Sequence, residues 1–263
     1  MLATAACTST HTTSTGAVGV DRQQSMLLSS AEVNQSAEQA YARTIQEARA
    51  KNTLNRGSAQ VRRVRGIATR LIAVTGAFRS DAPGWRWETN VISASELNAW
   101  CMPGGKIVVY TGLMDKLALT DDELAAVMGH EIAHALREHG REKASQAVGV
   151  DLAATFGGLI GTYYGLDASV GQGLVGAAGD IAFMRPNSRG MEQEADRIGV
   201  ELMARAGYDP RAAISLWEKM ARASGNGAPQ WLSTHPSNEA RLADLRVYVE
   251  RVQPLYRAAR VKN

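Results

Sequence analysis

Histidine is scarce in this chain, at 5 of 263 residues, and cysteine is scarcer, at 2. Cys7 and Cys101 are too few for a disulfide framework or a cysteine-rich zinc ribbon. There is no long hydrophobic run. The longest uncharged apolar stretch, Leu152 to Leu166, is closed off by Asp151 and Asp167, whereas a membrane-spanning helix needs about 20 residues. Charge of one sign is not concentrated either. The formal net charge is +3 with both signs interspersed, which excludes a basic footprint for nucleic acid. No Walker loop, no G-x-G-x-x-G after a strand and no internal repeat is present. What remains is a chain that is 45% hydrophobic, with the length of one domain or one domain plus a tail.

Against that background, two of the few histidines fall in His130-Glu131-Ile132-Ala133-His134, an H-E-x-x-H pentapeptide. On a helix, positions i and i+4 point the same way, so His130 and His134 can present two imidazoles to one metal ion. Glu131 can then reach a metal-bound water and take its proton. The flanks predict the helix. Thr120 and Glu123 form a capping box, the apolar residues from Leu124 to Leu136 recur at helical spacing, and Gly140 is a stop signal. With Met128 at the centre of the apolar stripe, both histidines fall near the opposite face, toward water or a second layer of protein.

Two histidines leave a catalytic zinc one protein ligand short. Arg137 and Gly140 stand where a metzincin would carry its glycine and third histidine, which excludes that class. A later glutamate is the alternative, and Ser188 to Asp196 supplies two. Taking Ala195 as the centre of the apolar face, Glu192 lies about 60° away and Asp196 about 100° on the same side, whereas Glu194 lies about 100° away on the other. Glu192 is therefore the expected ligand. Asp196, one turn on, can accept a hydrogen bond from a ligating histidine.

The remaining pattern predicts helices over about 27–51, 61–74, 191–205, 211–224 and 236–251. Strands are expected at 85–93, 98–102 and 106–110, with Pro103-Gly104-Gly105 as a turn and a return to helix at 112–117. Residues 148–182, rich in glycine and alanine, read as an interrupted helix pair or a loop-helix lid. The fold class expected is α+β, mostly helical: a zincin whose H-E-x-x-H and E-x-x-x-D helices flank one zinc, beside a small antiparallel sheet of three strands.

The two helical segments together resemble the gluzincin zinc metallopeptidases of the HtpX, BepA and LoiP type, a family that includes the CaaX prenyl endopeptidase. The likeness runs from about Trp85 to Val252. It includes Lys106-Ile-Val-Val-Tyr-Thr-Gly-Leu-Met114, Ser-Arg-x-x-Glu-x-Glu-Ala-Asp196 and Ser233-Thr-His-Pro-Ser-Asn-Glu-Ala-Arg241. The resemblance implies one Zn2+ per subunit on His130, His134 and Glu192, with Glu131 as general base and Asp196 in a supporting or proton-donating role. It implies that His235 can occupy the zinc and hold the enzyme off, and that Arg241 lies near the site, either residue being available to the transition state. It also implies that Ile107, Val108, Val109 and Tyr110 form an edge strand pairing with extended substrate.

Residues 1–25 differ in composition. Met1 to Cys7 resembles the tail of a bacterial lipoprotein signal, truncated and with Thr4 where leucine is usual, followed by a Ser/Thr-rich stretch expected to be a flexible tether. Cys7 is then the candidate lipidation site, and 26–263 a single peptidase domain. Neither the spanning helices nor the C-terminal repeat domain of some relatives is evident. The chain is therefore expected to belong to the compact, lipoprotein-like branch: a periplasmic, outer-membrane-anchored endopeptidase acting on misfolded or unassembled membrane proteins. The competing expectation is a self-inhibited chaperone or assembly factor for outer-membrane proteins with little turnover. A purely structural zinc protein fits less well, since such sites are closed by four Cys/His ligands.

Overall fold

The motif helix is fixed at its start by chemistry visible in the sequence. The Thr120 hydroxyl accepts from the Glu123 backbone amide at 3.2 Å, and the Glu123 carboxylate accepts from the Thr120 amide at 2.8 Å. In the computed structural model, which describes residues 8–148, 187–223, 230–236 and 239–262, this helix runs Asp121–Leu136. Every residue from Glu123 to Leu136 is buried, so it threads the middle of the molecule and has no solvent face. The two histidines therefore face a second layer of protein.

In chain order, the elements are β1 (Thr8–Thr10), β2 (Gln24–Met26), α1 (Ser30–Ala50), α2 (Ser58–Ile72), β3 (Glu88–Ile92), β4 (Ala99–Met102), β5 (Lys106–Tyr110), α3 (Thr111–Lys116) and the motif helix α4. Helix resumes as α5 over 139–148. Then follow α6 (Arg189–Arg205), α7 (Ala212–Ala223), the short α8 (Gln230–Thr234) and α9 (Glu239–Lys262). Helix α4 packs against α6, α7, α2 and β4, and α9 lies across α6. None of the described helices is long and apolar enough to cross a membrane. The glycine-rich stretch lies, from residue 149 onward, outside the described residues, as does Cys7.

The three strands form where expected, but in the order β3-β5-β4. β4 and β5 are the antiparallel hairpin, turning through Gly104 and Gly105 at φ 79° and 85°, where glycine carries no Cβ penalty. β3 pairs with β5 in parallel, with Glu88 opposite Lys106 and Ile92 opposite Tyr110, so the sheet is mixed rather than antiparallel. This overturns the edge-strand assignment of Ile107 to Tyr110. β5 is central and hydrogen-bonded on both sides. Its unbroken apolar run, with Ile107, Val108 and Val109 all buried, is what a two-face-buried strand requires. Among the described residues, the outer edges belong to β3 and β4.

The stretch expected to be a flexible tether is instead a hairpin clipped onto the body. β1 and β2 pair antiparallel, and Val18 and Val20 between them enter the core. The Val18 amide donates to the buried Glu201 carboxylate at 3.0 Å, and the Ser14 amide to the Phe78 carbonyl at 2.8 Å. The C-terminal helix also departs from expectation. It continues through Pro254 to Lys262. Pro254 and Glu250, whose carbonyl loses its helical partner, are both exposed residues.

Helices α4 and α6 touch backbone to backbone where Gly129 meets Gly199. A Cβ on Gly199 would lie 3.0 Å from the His130 amide nitrogen, and one on Gly129 3.0 Å from the Gly199 carbonyl oxygen. Neither neighbour is a flexible side chain, so Gly199→Ala must part the helices. We expect a loss of about 1–3 kcal/mol of stability, read as a lower Tm. A Tm equal to wild type would show that the crossing tolerates the methyl group.

Candidate metal centre

The close crossing of α4 and α6 sets the histidines of one helix against the carboxylates of the other. His130 Nε2 and His134 Nε2 lie 3.0 Å apart. Glu192 places one oxygen 3.5 Å from the former and the other 3.3 Å from the latter. His235, just past α8, brings Nδ1 to 3.2 Å from His130 Nε2 and 3.0 Å from Glu192 Oε1. One donor atom from each of His130, His134, Glu192 and His235 falls within 4.8 Å of every other, and all four residues are buried.

These donors fit zinc. Zinc–nitrogen and zinc–oxygen bonds of about 2.0–2.1 Å in a tetrahedron give edges of about 3.3 Å, close to the separations observed. Glu192 Oε2 is buried and accepts no well-directed hydrogen bond, although Arg241 Nη1 is 2.7 Å away as an ion pair. Two imidazole nitrogens facing each other at 3.0 Å also demand a proton or a metal between them. Without a metal, His130 meets that demand with a proton. Burial opposes its charge, but the Asp196 hydrogen bond and the nearby Glu192 carboxylate outweigh burial and raise its pKa to about 9. Burial also disfavours ionised Glu192, yet His235, His130 and His134 around it hold it far below the usual carboxylate range. Burial keeps His134 and His139 neutral, pushing both below the usual histidine value.

Each supporting residue comes from a different element. His130 Nδ1 bonds Asp196 Oδ1 at 3.0 Å. Arg241, from α9, donates to Asp196 through Nε at 2.9 Å and Nη2 at 2.8 Å while its guanidinium lies over Trp217. Burial alone would raise Asp196, but Arg241 and then His130 hold it low. Glu131 is buried, with Oε1 accepting from the Trp231 indole at 2.6 Å and lying 3.4 Å from His235 Nε2. The Trp231 ring stacks on His235, with centroids 4.7 Å apart.

His130, Glu131, His134, Glu192, Asp196, His235 and Arg241 are thus brought together, and the central strand residues Ile107 to Tyr110 are not among the donors. Glu194, on the other side of α6, pairs with Arg137, His139 and Arg22. Sequence reasoning overlooked three residues. Trp231 sits one helical turn before His235, and that spacing was its only signal. His139 is one of only five histidines and stands five residues after His134, which would have justified flagging it. Asn187, donating to Glu192 Oε1 at 2.7 Å, left no sequence signal.

Comparison with known proteins places this geometry. A family model for peptidase family M48 matches residues 58–249. The chain is 39% identical over 165 residues to the mitochondrial metalloendopeptidase OMA1 of Arabidopsis thaliana, covering 63% of this chain and 32% of that one. It is likewise 39% identical over 176 residues to the mitochondrial metalloendopeptidase OMA1 of Bos taurus, covering 63% and 33%. It is 34% identical over 173 residues to the beta-barrel assembly-enhancing protease of Escherichia coli K12, covering 63% and 35%. The chain therefore spans about a third of the length of these relatives.

Proposed function

The chain belongs to peptidase family M48, and from that premise we propose that it is a zinc endopeptidase that hydrolyses peptide bonds in unfolded polypeptides. The observation that carries this reading is the convergence of His130, His134 and Glu192 with a second buried carboxylate, Glu131, one residue along the same helix. When bound, zinc supplies Lewis acidity, polarising the scissile carbonyl and lowering the pKa of water from about 15.7 toward about 7. Glu131 takes a proton from the attacking water and returns it to the departing amine. Asp196, clamped by Arg241, fixes the His130 tautomer with Nε2 free to ligate.

β4 is the strand that packs on the motif helix, and its outer edge has no strand partner among the described residues. An extended substrate backbone adding to β4 accounts for sequence-tolerant recognition of unfolded chains. We place the physiological role in quality control of envelope membrane proteins, a reading supported by the likeness to the beta-barrel assembly-enhancing protease of Escherichia coli. Anchoring through a lipidated Cys7 belongs to that reading. Metabolic labelling with palmitate should mark wild type and spare Cys7→Ala, and an unlabelled wild type would remove the anchor.

One observation favours a latent form of the enzyme. His235 completes the donor set while Trp231 covers Glu131, so the arrangement described is closed to substrate. Casein cleavage by the purified protein tests the main reading. It should be lost on chelation and return with added zinc, whereas cleavage indifferent to a chelator would exclude a metallopeptidase.

A further inference from the structure

Behind His134, on the side away from the donor cluster, runs a second buried chain of polar groups that the proposed chemistry does not use. His134 Nδ1 lies 2.7 Å from His139 Nδ1, and His139 Nε2 lies 3.0 Å from Glu194 Oε2. Glu194 is in turn held by Arg137 Nε at 2.9 Å and by Arg22 from the N-terminal hairpin. His134, His139 and Arg137 are all less than 10% exposed. Arg137 also donates to the Arg22 carbonyl at 2.8 Å, so the hairpin and the end of the motif helix are tied to the same carboxylate.

We propose that His139 and Glu194, anchored by Arg137 and Arg22, are positioning residues that fix the tautomer and orientation of His134 for metal binding. The inference rests on the zinc-peptidase reading, because it treats His134 as a ligand. For neutral, buried imidazoles the proton directions follow from the partners. An ionised carboxylate paired with two guanidinium groups only accepts, so His139 must carry its proton on Nε2. Its Nδ1 is then a lone-pair acceptor, and His134 must donate through Nδ1. That leaves the lone pair of His134 on Nε2, which faces His130 Nε2 and Glu192. Reversing any one link would place a proton where the metal bond belongs. The His130–Asp196–Arg241 arm accomplishes the same with one carboxylate in direct contact. The His134 arm inserts an imidazole between ligand and carboxylate. Its far end, Arg22, lies outside residues 58–249, the part of the chain shared with the family.

The test measures zinc affinity by competition with a chromophoric chelator, together with the imidazole N–H signals in the nitrogen-15 spectrum of the zinc-loaded protein. His139→Leu removes both links and should weaken zinc about 10–100-fold. His139→Gln keeps an amide oxygen to accept from His134 and an amide N–H to donate to Glu194. It should stay within a few-fold of wild type, a rescue that a merely space-filling role would not give. Arg22→Ala leaves Arg137 in place and should cost less than His139→Leu. The wild-type spectrum should show the His134 proton on Nδ1. Unaltered zinc affinity in His139→Leu, or Gln binding as weakly as Leu, would overturn the proposal while leaving the peptidase reading intact. A wild type that binds no zinc would overturn both. Should His139→Leu not fold, Glu194→Gln carries the comparison. Its amide no longer dictates the direction of the chain, so it should weaken zinc, and unaltered affinity there would equally overturn the proposal.

Discussion

Glu131→Gln should bind one zinc per chain, melt like wild type and cleave casein at least about 10²–10⁴-fold more slowly, the range typical for loss of a general base. Glutamine has nearly the shape of glutamate, and its carbonyl oxygen can still accept the 2.6 Å bond from the Trp231 indole, so the local packing is retained. What is lost is the ability to take a proton. Zinc should be retained because the donors are His130, His134, Glu192 and His235, and Glu131 is not among them. A variant cleaving at the wild-type rate would remove Glu131 from the chemistry. A variant that lost its zinc would instead make Glu131 part of the binding site.

The second large effect is expected in the opposite direction. His235→Ala should raise basal cleavage about 10-fold, the gain when a competent state moves from about a tenth of molecules to nearly all. Removing the imidazole leaves His130, His134 and Glu192, the three-ligand set with an open position that catalysis needs. Trp231→Phe tests the other half of the closure. It keeps the ring stacked beside His235 but deletes the N–H that covers Glu131, so its cleavage rate should also rise. Initial rates of casein cleavage at equal zinc loading provide the comparison. A fall in His235→Ala would assign His235 to the oxyanion and not to a latch. Equal rates in Trp231→Phe would show that the indole does not restrain Glu131.

Much of this site was legible locally. The Thr120 cap, the i and i+4 histidines and the angular positions of Glu192 and Glu194 on α6 are all properties of single helices, which periodicity reports. Glu192 does lie beside both histidines, while Glu194 points to the other side. Single-helix patterns carry no information on what lies opposite. Nothing in the run Lys106 to Tyr110 says whether it is paired on one edge or two, and the parallel partner β3 comes from a segment that reads as only half-buried. The N-terminal hairpin was hidden for a related reason. Its Ser/Thr-rich composition suits a tether as well as a strand, and only Val18 and Arg22 reaching across to residues beyond position 130 distinguish the two. The last helix passes Pro254 on an exposed stretch, a fact of exposure and not of pattern. The His139 arm and Trp231 depend on elements brought together by the Gly129–Gly199 crossing, which no local signal announces.

The most direct test is zinc content and casein cleavage measured on the same preparations of wild type and Glu131→Gln. The account predicts one zinc in each and cleavage by wild type alone. Zinc in neither protein would contradict it.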